Sequence, residues 1–124
     1  MEVKIISKEK FKTEIFDFSS GEEAMFEHAT PVILNFFATW CGPCHSFAPA
    51  LEMLAEENPT AFKVFKIDID ADPEIPALFG IRSVPTTLFF TQNEMPAMVS
   101  GNIGEDGLRR AIAALFKIGT QPGP

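Results

Sequence analysis

The chain has 124 residues, 46% hydrophobic and 22% charged, which fits one soluble globular domain with a real core and excludes a disordered or fibrous protein. Its formal net charge of −7 offers no basic footprint, which excludes general nucleic-acid binding and otherwise bears on solubility rather than fold. The longest apolar run, residues 31–40, is broken by Asn35 and Thr39 and is too short to cross a bilayer; the N-terminus lacks the apolar stretch of a targeting signal, so a cytoplasmic protein without membrane contact is expected.

Val3–Ile6 is the first strand candidate. Ser7 is placed to cap a helix from Lys8 to Asp17, because Phe11, Ile15 and Phe18 recur at helical spacing. A strand over Lys12–Phe18 is the rival reading, and its alternation is poor. Residues 19–30 are either a short helix capped by Ser20 and running to Glu27, or a loop. Pro31–Ala38 is a near-continuous apolar run with β-branched Val32 and Ile33, the pattern of a strand buried on both faces.

A helix follows from about Pro43 to Glu57, with Phe47, Leu51, Leu54 and Ala55 on one face and Pro49 expected to kink it. Phe62–Ile69 is the next strand, and Glu74–Phe79 a short helix started by Pro73. Thr86–Thr91 and Met95–Ser100 form a hairpin around the turn at Gln92, Asn93 and Glu94. The final helix spans Gly104–Lys117, with Leu108, Ile112, Leu115 and Phe116 inward and Glu105 and Asp106 complementing its positive N-terminus. This order implies an α/β domain over residues 1–118, with a mixed sheet, helices on both faces and a right-handed parallel crossover; residues 119–124 read as a flexible tail. Thirteen Phe and no Tyr assign the aromatics mainly to core filling.

The only two cysteines, Cys41 and Cys44, stand in the stretch Trp40-Cys41-Gly42-Pro43-Cys44-His45. A structural zinc site wants four ligands, and only His28 and His45 could join the cysteines, with His45 badly placed beside Cys44. A permanent staple around so short a loop would constrain the unfolded chain little. Redox chemistry fits better. Cys41 falls between a strand end and a helix start, where free N–H groups and partial positive charge favour thiolate, the nucleophilic form. Pro43 falls near the first helical turn, where a missing N–H costs nothing. Cys44, one turn deeper, is expected to be less exposed. Cys41 is therefore the expected attacking thiol and Cys44 the resolving one.

Here the sequence resembles the thioredoxin family. The resemblance is carried by Ala38-Thr39-Trp40-Cys41-Gly42-Pro43-Cys44, Ala48-Pro49, Lys66-Ile67-Asp68, Gly80 through Thr86, and Gly101, in the family's order across roughly Pro31 to Leu115. It implies the thioredoxin fold and reduction of protein disulfides, with no metal or organic cofactor beyond the cysteine pair. The implied partners are protein disulfides and a reductase-like electron donor, and the acidic chain is expected to be a monomer. Pro85 would be the family's cis-proline beside the cysteines. Trp40, Gly42, Pro43, Val84, Pro85, Thr86, Gly101 and Asn102 would form the groove that receives substrate backbone. Arg82 and His45 are expected as solvated flank.

Two departures stand out. Asn35 occupies the place of the family's buried Asp, with Lys66 matching its neighbouring lysine, and an amide cannot take up a proton as a carboxylate does. Ser100 and Asn102 make the groove rim more polar than is common in the family. The rivals are an oxidant or isomerase on the same fold, against which the Gly42-Pro43 pair speaks, and a binding module with idle redox activity, against which both intact thiols speak.

Overall fold

The computed structural model describes residues 3–20 and 25–119. Five strands form one sheet: β1 (Val3–Ile5), β2 (Val32–Phe37), β3 (Lys63–Asp68), β4 (Thr86–Phe90) and β5 (Ala97–Ser100), in the order β1-β3-β2-β4-β5. β3 pairs parallel with both β1 and β2, while β2–β4 and β4–β5 are antiparallel. Among the described residues four α-helices cover it: α1 (Lys8–Glu14), α2 (Gly42–Glu57), α3 (Glu74–Leu78) and α4 (Gly104–Phe116). This is the mixed α/β architecture expected of the sequence.

All six residues of the central strand β2 are buried, because helices pack on both faces. The twofold alternation sends Val32, Leu34 and Phe36 to the side of α1 and α3, where Phe11, Ile15 and Ile75 meet them. It sends Ile33 to the side of α2 and α4, against Phe47, Leu51, Leu54, Leu108, Ile112 and Phe116. Phe79 joins the first layer through ring contacts with Phe11, Phe16, Phe36 and Phe90 at centroid distances of 5.9–6.2 Å.

Several expected boundaries move. α1 ends at Glu14 rather than Asp17, with Ile15 as its C-cap, and Phe18 lies in a single 3-10 turn, Phe18–Ser20; the rival strand is absent. Ser7 is the N-cap by position, but its side chain makes no cap bond. Instead the Asp72 carboxylate, from the loop after β3, accepts the Lys8 N–H at 3.2 Å, a long-range cap that no local pattern encodes. Of the segment read as helix or loop, residues 21–24 lie outside the described residues. Phe26 is buried, and its carbonyl accepts the Asn93 N–H at 2.8 Å, pinning irregular backbone to the β4–β5 turn. β5 starts at Ala97, not Met95, and Leu115 is only half-buried. Residues 120–124 of the expected tail lie outside the described residues.

Candidate active site

β2 delivers the chain at the C-terminal end of the central strand, and α2 begins five residues later. Cys41 is the N-cap of α2, with extended backbone (φ −91°, ψ 109°), and Pro43 lies in the first turn. The Cys44 N–H donates to Cys41 Sγ at 3.1 Å, so the sulfur takes the place of a capping oxygen. The two cysteines are joined as a disulfide with Cα atoms 5.3 Å apart. Both residues are 5% exposed, so the expected difference in exposure is not found: each sulfur covers the other in the oxidised pair. What distinguishes them is the helix cap, which directs a backbone donor at Cys41 alone.

Phe37 and Ala38 form one buried cluster with the cysteines, and Ile69 and Val84 pack against it. Cys41 Sγ lies 3.7 Å from the Val84 carbonyl oxygen. The Val84–Pro85 bond is cis, as the resemblance implied. The Pro85 carbonyl accepts the Gly101 N–H at 2.7 Å. Gly101 has φ +91°, a conformation open to glycine and strained for other residues. β4 and β5 thus hold Val84, Pro85 and Gly101 together beside the disulfide.

Gly42, Pro43 and Trp40 are exposed, Trp40 to 69%, and its indole N–H donates to Asp70 Oδ2 at 2.8 Å. Asp70 was not singled out from the sequence; its place in the loop after β3 is the only local signal. Two groove candidates have hydrogen-bond partners of their own. Thr86 is buried and its hydroxyl donates to the Ser83 carbonyl at 2.8 Å, so it supports the groove from beneath. Asn102 is exposed, but its Oδ1 accepts the Gly104 N–H at 3.0 Å, closing the turn into α4. His45 Nε2 is 2.8 Å from the Thr39 carbonyl oxygen; that oxygen only accepts, so this nitrogen carries the hydrogen. His28 lies against the ring of Phe26. Among the described residues no three His, Cys, Asp or Glu side chains converge as a metal site requires.

Beneath α2 the sheet presents Asn35 and Lys66, register partners on β2 and β3. Asn35 is 2% exposed, and its Nδ2 donates to Thr87 Oγ1 at 3.1 Å, which satisfies a buried amide. Lys66 Nζ stands 4.4 Å from the centroid of the Phe37 ring. Burial holds the Lys66 ammonium below its ordinary pKa of 10.5, with Glu52 pulling the other way.

A cysteine pair at a helix N-terminus on a mixed sheet, with a proline loop packed against its outer sulfur, defines the class of thiol–disulfide oxidoreductases. Similarity narrows the class. The thioredoxin family profile matches residues 2–114. A thioredoxin of Borreliella burgdorferi is 31% identical over 111 residues, 90% of this chain and 95% of that one. A thioredoxin of Listeria monocytogenes is 43% identical over 93 residues, 73% of this chain and 90% of that one. The crystal structure of chloroplastic thioredoxin z superposes with a TM-score of 0.77 at 28% identity, over 95% of this chain and 97% of that one. The chain belongs to the thioredoxin family and is a protein-disulfide reductase whose redox centre is the pair Cys41 and Cys44.

Proposed function

We propose that Cys41 is the attacking thiol and Cys44 the resolving one. The Cys41 thiolate attacks a substrate disulfide, one substrate sulfur leaves as thiolate, and a mixed disulfide forms at Cys41. The Cys44 thiolate then attacks Cys41 Sγ, the second substrate sulfur leaves, and the pair closes as the disulfide. Two electrons pass to the substrate, and its two thiolates take up the protons that the dithiol released. The observation that carries this assignment is the Cys44 N–H donated to Cys41 Sγ, since the same donor stabilises negative charge on that sulfur in the reduced state.

The exposed faces of Trp40, Gly42 and Pro43, with Val84 and Gly101, form the surface on which substrate backbone is taken up. The electrons reside in the sulfur pair, without metal or organic cofactor, and a dedicated reductase restores the dithiol. The chain acts as a monomer in the cytoplasm; the acidic composition and the Gly-Pro pair between the cysteines support that reading.

Trapping tests the assignment. Cys44→Ser is expected to accumulate substrate adducts on Cys41, and Cys41→Ser to accumulate none; adducts on Cys44 instead would reverse the roles. The direction is tested by the reduction potential. Thioredoxins in general lie at about −270 mV, and a value near about −180 mV, the isomerase range, would overturn the reducing role.

A further inference from the structure

A cavity of about 310 Å³ lies at the β1 edge of the sheet, and none of the described residues that line it belongs to the redox site. Its apolar walls come from both layers of the core. Phe65 belongs to the layer on the α1 side, and Ala55, Phe62 and Val64 to the layer on the α2 side. All four are buried, and the Phe62 ring packs 5.9 Å from that of Phe116, so close packing holds these walls in place. A preformed concave apolar surface gains free energy when an apolar body fills it. The volume stands at the lower end of small-molecule sites, which span about 300–1,000 Å³.

The rim is charged, and its balance is the reverse of the chain's. Lys4 from β1, Lys10 from α1 and Lys63 from β3 line the opening, all three exposed. Glu14 is the one carboxylate among the described lining residues. It lies 3.1 Å from Lys63 Nζ and 3.5 Å from Lys10 Nζ, so two ammonium groups share one acid. Burial pushes the Glu14 carboxyl up, the two lysines outweigh that, and its pKa lies below the ordinary 4.5. Lys4 makes no ion pair among the described residues. Three ammonium groups against one carboxylate leave two positive charges in excess, on a chain whose formal net charge is −7. Like charges gathered at one rim repel each other, a cost that a merely structural surface does not require. A second cavity, of about 210 Å³, provides the contrast. Its walls include Phe16, Phe26, Phe79 and Phe90, and its charged group among the described residues is Glu94, so it is apolar with the opposite sign.

We propose that the cavity at the β1 edge binds a small amphiphilic anion: a monocarboxylate whose head lies among Lys4, Lys10 and Lys63 and whose apolar body lies against Phe62, Val64 and Phe65. At about 30 Å³ for each water-sized group, the space suits a molecule of about ten non-hydrogen atoms. This inference is independent of the thiol–disulfide reading above.

The test is a titration of the full chain with octanoate, followed by amide NMR shifts. Saturable shifts at Lys4, Lys63 and Phe65 are expected, with a dissociation constant of about 1 mM or lower for a ligand of this size. Octylammonium, with the same apolar body and the opposite charge, is expected to bind about tenfold more weakly. Lys4→Gln is expected to weaken octanoate about threefold, the effect of one exposed charge. Glu14→Gln is expected to tighten it about threefold, because it removes a repelling charge and frees Lys10 and Lys63 for the ligand. Absence of saturation by about 20 mM overturns the proposal. So does octylammonium binding as tightly as octanoate, or shifts centred on Phe79 and Phe90, since either shows apolar adsorption without recognition of the anion. An affinity unmoved in Lys4→Gln, or unmoved or weakened in Glu14→Gln, overturns it as well. Lys4 is exposed and unpaired, so if Glu14→Gln fails to fold, Lys4→Gln and the comparison of octanoate with octylammonium decide it.

Discussion

Asn35 places an amide beneath the cysteine helix, donating to Thr87 in a fully buried site. Asn35→Asp keeps the shape and reverses the hydrogen bond, with the Thr87 hydroxyl donating to the new carboxylate. That carboxylate can accept a proton from the Cys44 thiol, so the variant is expected to resolve mixed disulfides faster; single-turnover rates over about pH 6–9 check this. Burial raises the new carboxyl pKa above its unfolded value, so its stability contribution is lost as pH rises through the folded value. The variant should therefore melt below the parent at about pH 8, with the gap closing toward about pH 5. Lys66 behaves as the mirror case. Its folded pKa lies below the ordinary 10.5, so the charged form is the costly one, the cost is fully present at neutral pH, and it is relieved as pH rises toward 10.5. Lys66→Met is expected to melt higher than the parent at about pH 7 and to lose that advantage by about pH 10, measured by thermal unfolding across pH.

At the scale of elements, α2 carries the chemistry and α4 holds it in place. Arg109 Nη1 lies 2.9 Å from Glu57 Oε1 on α2, and Nη2 2.9 Å from Glu105 Oε2 one turn back on α4. The Arg109 and Glu57 side chains are only 17% and 11% exposed, so Arg109→Ala leaves a largely buried carboxylate without its partner. A loss of about 2 kcal/mol is expected, below the fully buried case because the pair still touches water. Glu105→Ala, at the exposed end, should cost about 0.5 kcal/mol or less. Denaturant titration separates the two. At the other end of α4, Lys117 caps the helix in the left-handed conformation, φ 59° and ψ 37°. Lys117→Gly removes the Cβ conflict there and should add about 0.5–1 kcal/mol, seen as a melting point a few degrees higher. The elements themselves were legible from hydrophobic period. Their ends were less so: the start of α1 at Lys8 was legible, but the helix stops at Glu14 rather than Asp17, and the bond that holds its first N–H comes from Asp72, 64 positions away and outside any local window.

Across the whole molecule, the redox reaction is coupled to stability. Although so short a loop lies at the low end of what a disulfide contributes, closing Cys41–Cys44 still removes about 2 kcal/mol of unfolded-state freedom by chain-entropy arithmetic, more than the loop length suggests from the sequence. Reduction is therefore expected to lower the melting temperature by roughly 5–10 °C, measured by comparing oxidised and dithiol forms at equal pH. The disulfide lies at the C-terminal end of β2, while Phe26, Phe90 and the β4–β5 turn close the opposite pole. Two layers of side chains, one on each face of the sheet, connect these poles, and the cysteines form a third cluster with Phe37 and Ala38, against which Ile69 and Val84 pack.

The sequence by itself determined the fold class, the cysteine pair and its place at a helix start, because hydrophobic period and the Cys-Gly-Pro-Cys spacing are properties of neighbouring residues. It also pointed, through family resemblance, to Pro85 and to Asn35 with Lys66. Tertiary structure alone decided which groups meet: Trp40 with Asp70, Lys8 with Asp72, and Asn35 with Thr87. Those contacts join residues from separate elements, and their existence depends on strand order and helix placement. Arg109 looks from the sequence like any exposed helical base; only the packing of α4 on α2 sets it against Glu57, with both side chains largely out of water.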